Sequence, residues 1–199
     1  MPFLDFIVKN INDEWENKAF NCEPLCDCRI LFKSIAETII DTQQAEQNIL
    51  TTYPGIADEK GEVEMLEVND KYDLLLYHKL ETILNSTVPG KSFGNDFALL
   101  EVANMAVMII AWRNKIKRQA YELEAILKQT LLSTVNKLND ENKTVQKSRI
   151  YPGFSTFDKT GLLQREFTRV ELNFPELIIF ELKYRVESTY KNGCVEICK

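Results

Sequence analysis

The sequence predicts an α+β fold: an antiparallel or mixed sheet with long strands, packed by an N-terminal and a central amphipathic helix. Three patterns carry that reading. Apolar side chains recur at helical spacing in residues 3–18 and again in 116–138, whereas residues 178–190 alternate between apolar and charged, the period of a pleated strand. A chain of 199 residues with 45% hydrophobic content, 7 Gly and 6 Pro has the size and composition of one globular domain with a substantial core. A single α+β domain over 1–199 is expected, with loop or arm excursions at 51–70, 84–96 and 139–160.

In residues 3–18, Leu4, Ile7, Val8, Ile11 and Trp15 form one stripe, with Lys9, Asn12, Asp13 and Glu16 opposite, which defines an amphipathic helix. Residues 21–27, containing Pro24, read as a connection, and 28–40 fits either a strand or the start of a helix. Good helix formers fill 41–50; Tyr53-Pro54-Gly55 then reads as a turn and Asp58 to Glu62 as a polar loop. Residues 72–83 and 97–112 read as strands, the second apolar on both faces and therefore central. Between them, 84–96 with Pro89-Gly90 and Gly94-Asn95-Asp96 is long enough to form an arm.

The clearest helix places Ile116, Ala120, Leu123, Leu127, Leu131, Val135 and Leu138 on one stripe, which should cover one face of the sheet. Polar residues 139–149 end it, and Tyr151-Pro152-Gly153 reads as another turn. From Ile178 to Tyr190, Ile178, Phe180, Leu182, Tyr184, Val186 and Tyr190 share one face; Glu181, Lys183, Arg185 and Glu187 share the other. At ~3.3 Å per residue this strand is about 40 Å long. An exposed strand of that length invites pairing, so a neighbouring subunit is expected to cover it.

A net charge of −6 and the absence of any long basic run argue against a surface that coats nucleic acid. The densest basic stretch, Arg113 to Arg118, reads as a solvated helix entry. An acidic surface repels phosphate, which suits the lining of a passage through which DNA slides. The first residues, Met1 to Phe6, lack the basic start of a secretory leader. The longest apolar stretch, Met105 to Trp112, falls far short of the ~20 residues that cross a bilayer, and no membrane partner is expected. Cys22, Cys26, Cys28, Cys194 and Cys198 are an odd set without an export signal and read as reduced thiols. Their C-x3-C-x-C and C-x3-C spacings could supply four thiolates to zinc only if the chain ends met, and the spacing is poor for a knuckle.

Chemistry-bearing motifs are sparse. The single histidine, His78, lies mid-strand, and no Ser or Cys occupies a strand-turn-helix elbow. Gly90-Lys91-Ser92 lacks the spacing of a phosphate loop. Glu181-Leu182-Lys183, preceded by Pro175-Glu176, resembles fragments of the restriction-endonuclease-like signature, in which acids hold Mg2+ and a lysine positions water. The segment between those halves is too short for the usual hairpin, so an ordinary charged strand face is the preferred account. No catalytic, cofactor or metal residue is assigned. A cytoplasmic adaptor and a Mg2+-dependent nuclease stand as alternative readings.

The order of elements, from the N-terminal helix through the strands Tyr72 to Ile83 and Phe97 to Trp112, the helix Ile116 to Leu138 and the final strand Phe180 to Tyr190, resembles bacteriophage tail-terminator and neck ring proteins. The resemblance implies an α+β structural protein of the virion, without catalysis or cofactor. It implies a closed homo-oligomeric ring of six or twelve subunits in the head-to-tail connector, docked on neighbouring portal, neck or tail proteins. DNA would pass through its acidic lumen without sequence-specific binding. Additional sequence between Asp27 and Asp70 departs from a terminator and leaves its place in the connector open. Glu181, Lys183, Arg185 and Glu187 are the residues expected at the subunit contact.

Overall fold

A computed structural model describes residues 2–20, 28–41, 51–57, 62–66, 68, 71–87, 98–116, 118–141, 145–157, 159–167 and 176–191. Helix α1 (Pro2–Glu14) forms where the apolar stripe predicts it, and a π-helical segment, Trp15–Phe20, continues it. Leu4, Ile7, Val8, Ile11 and Trp15 are all buried. Strand β1 (Ile30–Ile35) follows, which resolves residues 28–40 in favour of strands. Then come β2 (Glu37–Asp41), β3 (Thr51–Ala57), β4 (Val63–Met65), β5 (Leu74–Thr87) and β6 (Ala98–Trp112). The chain continues through the short α2 (Arg113–Ile116), α3 (Ala120–Glu141), β7 (Val145–Thr156), α4 (Lys159–Glu166) and β8 (Leu177–Lys191).

The main sheet is mixed and five-stranded, in the order β1-β5-β6-β8-β7; β2, β3 and β4 form a separate three-stranded antiparallel sheet. Among the described strands only β1 and β5 run parallel. A parallel pair needs a crossover, and here the small sheet lies within that connection. Ala36 N donates to His78 O at 2.8 Å just before the chain turns into β2. Central β6 is buried continuously from Met105 to Ala111, as its double-sided apolar pattern requires.

One face of the main sheet carries Leu74 and Leu76 of β5, Ala103, Met105, Val107, Ile109 and Ala111 of β6, and the even residues Ile178 to Val186 of β8, packed beneath α1 and α3. Helix α3 presents Ile126 and the buried Leu123, Leu127 and Leu131 to this core. It starts with a capping interaction: Gln119 N donates to Glu122 Oε2 at 2.9 Å. Its buried Thr130 and Thr134 hydroxyls donate back to the carbonyls of Ile126 and Thr130, so neither is left unsatisfied.

The opposite face is covered over part of its length. Leu75, Tyr77, Met108, Ile110, Leu177 and Ile179 pack with Ala36 and Leu66 of the small-sheet region and with Leu162 and Phe167 at α4. Further along the strands this face turns polar, and that half carries the candidate site.

Several expectations are corrected. Tyr53-Pro54-Gly55 is strand, not turn: Pro54 opposes Thr38 in β2, and its carbonyl accepts from Leu66 N at 2.9 Å. A strand residue directs both main-chain groups the same way, so the missing Pro54 N–H is on the β4 side and the β2 ladder loses no donor. The excursions expected at 51–70 and 139–160 therefore contain β3, β4 and β7. Tyr151-Pro152-Gly153 also lies within a strand, at a bulge in β7. Strand β8 is not open to a neighbouring subunit's strand, because β6 and β7 pair with its two sides; the sheet edges are β1 and β7. Residues 42–50, 88–97, Val135, Leu138 and Tyr190, as far as their side chains are concerned, and Cys22, Cys26, Cys194 and Cys198 lie outside the described residues.

Candidate functional site

Successive rungs of the ladder define the open half-face. Thr82, Asn104, Arg185 and Tyr151 occupy one cross-strand row, and Lys79, Ala106 and Lys183 another. Two bulges shape the surface between these rows. In β5 the register slips between Leu80 and Thr82, so Glu81 and Thr82 both serve this face. Glu81 meets Lys183 Nζ at 2.6 Å, and Thr82 Oγ1 accepts from Asn104 Nδ2 at 2.8 Å.

In β7 the register slips between Pro152 and Ser155, which sets Gly153 and Phe154 against Lys183. A Cβ on Gly153 would meet the Lys183 carbonyl oxygen at 2.9 Å; the bulged chain crosses so close to β8 that only glycine fits. Phe154 is thrown outward, 69% exposed, with the Lys183 ammonium 5.8 Å from its ring. The resulting groove, of about 440 Å³, runs between Thr82 and Asn104 on one side and Tyr151 and Phe154 on the other, over Lys183 and Arg185.

Beside the groove, on the same face towards α4, lies an ion-pair network. Lys79 Nζ is 2.5 Å and Arg165 Nε 2.9 Å from Glu166 Oε1, while Arg165 also pairs with Glu181. Lys183 is 4.0 Å from Glu181 and joins the network to Glu81. Glu166 and Glu181 are both buried, and such carboxylates persist as ions only when paired. Burial alone would lower the Arg165 pKa, but its hydrogen bonds to Glu166 and Glu181 raise it. Burial first, then Glu166 beside it, pushes the Tyr77 hydroxyl well above its ordinary range. Three carboxylates (Glu81, Glu166, Glu181) balance three cations (Lys79, Arg165, Lys183), so the cluster as a unit offers no surplus negative charge to a metal ion. Among the described residues no group of three or more His, Cys, Asp or Glu side chains is placed to hold one.

The four strand residues expected at a contact do share this face. Glu181, however, is buried in the network, and Arg185 pairs with Glu187, so the charges are matched within the chain. The halves of the nuclease-like pattern are not brought together: the Glu176 carboxylate accepts from Asn114 Nδ2 at 3.3 Å past the end of β6, whereas Glu181 opposes Met108 in mid-ladder. What meets Glu181 is Arg165, which no sequence pattern singled out. Its helix is short and contains Gly161, a poor helix former, and ion pairs between distant segments leave no periodic trace. Gly153 did carry a signal, since an isolated glycine in a strand marks a bulge or close approach.

His78 is placed on the covered face. Asn12 Nδ2 donates to Lys33 O at 3.2 Å, which directs Asn12 Oδ1 toward His78 Nε2 at 2.9 Å. Burial holds the His78 pKa down at about 3, so the ring is neutral, donates through Nε2, and accepts the Tyr184 hydroxyl at Nδ1 over 2.7 Å. The Trp15 ring stacks on His78 at 5.5 Å, and Trp15 Nε1 donates to Leu127 O at 3.1 Å. This chain of bonds ties α1, β1, β5, β8 and α3 together. Cys28 packs, half-buried, against the same core.

At the opposite end of the strands, Asp73 joins β1, β5 and α2. Burial would raise its pKa, but the Arg29 amide and guanidinium and the Lys115 ammonium at 3.2 Å outweigh that and lower it. No helix among the described residues is long and apolar enough to cross a membrane. Neither a scan against protein-family models nor a search of the curated proteins finds a match to this chain.

Proposed function

We propose that the chain is a non-catalytic structural protein that assembles with copies of itself into a ring, as a phage tail-terminator or neck ring protein would, with DNA passing through the lumen. The observation that carries this reading is the length of the central strands relative to the core they serve. Strands β5, β6 and β8 have 14, 15 and 15 residues, where ~5 to 6 is usual. From Lys79 onward in β5, and before Ala103 in β6, none of the described side chains is buried; Leu84 is 61% exposed. Strands β5 and β6 thus continue past their last fully buried side chains while still paired in the sheet with β8 and β7, which leaves a length of sheet available for assembly. The net charge of −6 accords with an acidic lumen that does not retain DNA.

The test is the absolute mass in solution by light scattering, with negative-stain images of the same fraction. A closed ring at six or twelve times the 23.1 kDa chain mass is expected. A 23.1 kDa species at every concentration and ionic strength would overturn self-assembly.

A further inference from the structure

Two concave surfaces differ in charge: one crosses the open sheet face from β5 to β7, and the other lies between α1 and edge strand β1. The first is the bulge-lined groove, where Lys183 and Arg185 face Glu81, with Tyr151 and Phe154 exposed among them; Arg149 and Glu187 flank it, both within reach of the Tyr151 hydroxyl. Lys183 pairs with Glu81 and Arg185 with Glu187, so Arg149 leaves this aromatic surface with one surplus positive charge on a chain whose overall charge is −6. The second, of about 410 Å³, lies between α1 and edge strand β1 and includes Asp5, Lys9, Asp13, Glu16, Phe32 and Lys33. Lys33 is drawn to Glu64 at 2.5 Å, so Asp5, Asp13 and Glu16 outweigh Lys9 there.

Both edge strands are irregular: β1 shifts register between Phe32 and Ile35, and β7 carries Pro152 and its bulge. Interruptions of this kind block extension of a hydrogen-bonded ladder. Contact through side chains is therefore favoured over strand addition at these edges.

We infer that the basic, aromatic groove of one copy docks on the acidic α1–β1 groove of the next. The inference rests on the ring reading and names its contact surface. Because the two patches differ, the contact is head-to-tail, and head-to-tail contacts close into a ring when the rotation permits. Phe154 and Tyr151 supply apolar area, and the charges set orientation and partner choice. A protein copy suits this groove better than a nucleic acid, since Glu81 lines it and Glu187 flanks it, and both would repel phosphate.

The test uses two charge-reversed chains. One carries Arg149→Glu and Arg185→Glu; the other carries Asp13→Lys and Glu16→Lys. Each alone should require at least about tenfold more protein to assemble than the wild type. A 1:1 mixture should recover assembly, because every groove then faces an oppositely charged partner, an outcome that loss of folding cannot produce. If either double variant melts below the wild type, the single exchanges Arg185→Glu and Glu16→Lys, both at exposed positions, replace them. Variants that assemble as the wild type does would overturn the docking surface and leave the ring intact. Loss in both without recovery on mixing would show that the two grooves are not each other's partners. Unchanged assembly with loss of duplex DNA binding in the Arg149/Arg185 variant would assign the groove to nucleic acid instead. A wild-type chain that never assembles would overturn the ring reading and this inference together.

Discussion

His78 is the only histidine of the chain, which makes its linkage to folding separable from that of other residues. Its pKa falls from 6.5 to about 3 because the ring is wholly buried. In the unfolded chain it takes up a proton as the pH drops through ~6.5; in the folded chain it stays neutral to about 3. Stability is therefore fully present above pH 6.5 and declines as the pH falls towards 3, by about 1.4 kcal/mol per unit. Between pH 6.5 and 4.5 that amounts to roughly 3 kcal/mol. A His78→Gln variant cannot take up this proton. It loses the Trp15 stack and part of the bonding to Asn12 and Tyr184, and should be about 1–2 kcal/mol less stable than the wild type at pH 7. That deficit should shrink on acidification and vanish near pH 5.5, since Asp73 and the other carboxylates titrate in both proteins and cancel in the difference. Urea denaturation at half-unit intervals from pH 7 to 4.5, at fixed protein concentration, measures it. Parallel stability curves, within ~0.3 kcal/mol across that range, would refute the neutral, buried relay.

The Arg165–Glu181 pair should behave as a coupled unit. Arg165→Met leaves Glu181, whose side chain is 3% exposed, with Lys183 at 4.0 Å and should cost about 2–3 kcal/mol. Glu181→Gln should cost less, because the half-exposed Arg165 can turn to water, and the double variant should cost about 1 kcal/mol less than the sum; strict additivity in denaturation midpoints would contradict the pairing. Gly153→Ala should destabilise by about 1–3 kcal/mol, since the new methyl meets β8 backbone that its two neighbouring strands hold in place. A change near zero in the same assay would show that the β7 bulge relaxes freely.

Elements whose burial repeats at a fixed period were legible in the sequence. The α1 stripe from Leu4 to Trp15, the α3 stripe through Leu131 and the double-sided apolar run of β6 all lie where periodicity puts them. The two Tyr-Pro-Gly triplets were not. Both read locally as turns, yet Tyr53-Pro54-Gly55 and Tyr151-Pro152-Gly153 are in strands, because long-range pairing with β2 and β8 overrides local preference. Losing β7 to a presumed turn is also what made β8 look unpaired. Its alternation correctly sorted Phe180 from Glu181 and Lys183, but alternation reports faces and says nothing about edges. The candidate groove was half visible for the same reason: Lys183 and Arg185 stood out on their strand, whereas Phe154, Arg165 and Glu166 reach the site only through tertiary structure.

The internal charge matching of the open half-face bears on how such a surface could assemble. Lys183 with Glu81, Arg185 with Glu187 and Arg165 with Glu181 are satisfied before any partner arrives, so a lone chain exposes no unbalanced buried charge and its long strands can stay soluble. In the proposed docking a second copy would exchange one set of ion pairs for another, which yields little net affinity. The surplus in that docking must come from covering Phe154 and Tyr151, two exposed side chains of limited area. A contact of that kind is weak taken singly. It becomes stable when a ring closes and each subunit is held on both sides, because dissociation of one copy then breaks two contacts at once. Assembly should accordingly be steep in concentration, with monomer and closed ring as the populated species and few open intermediates between them.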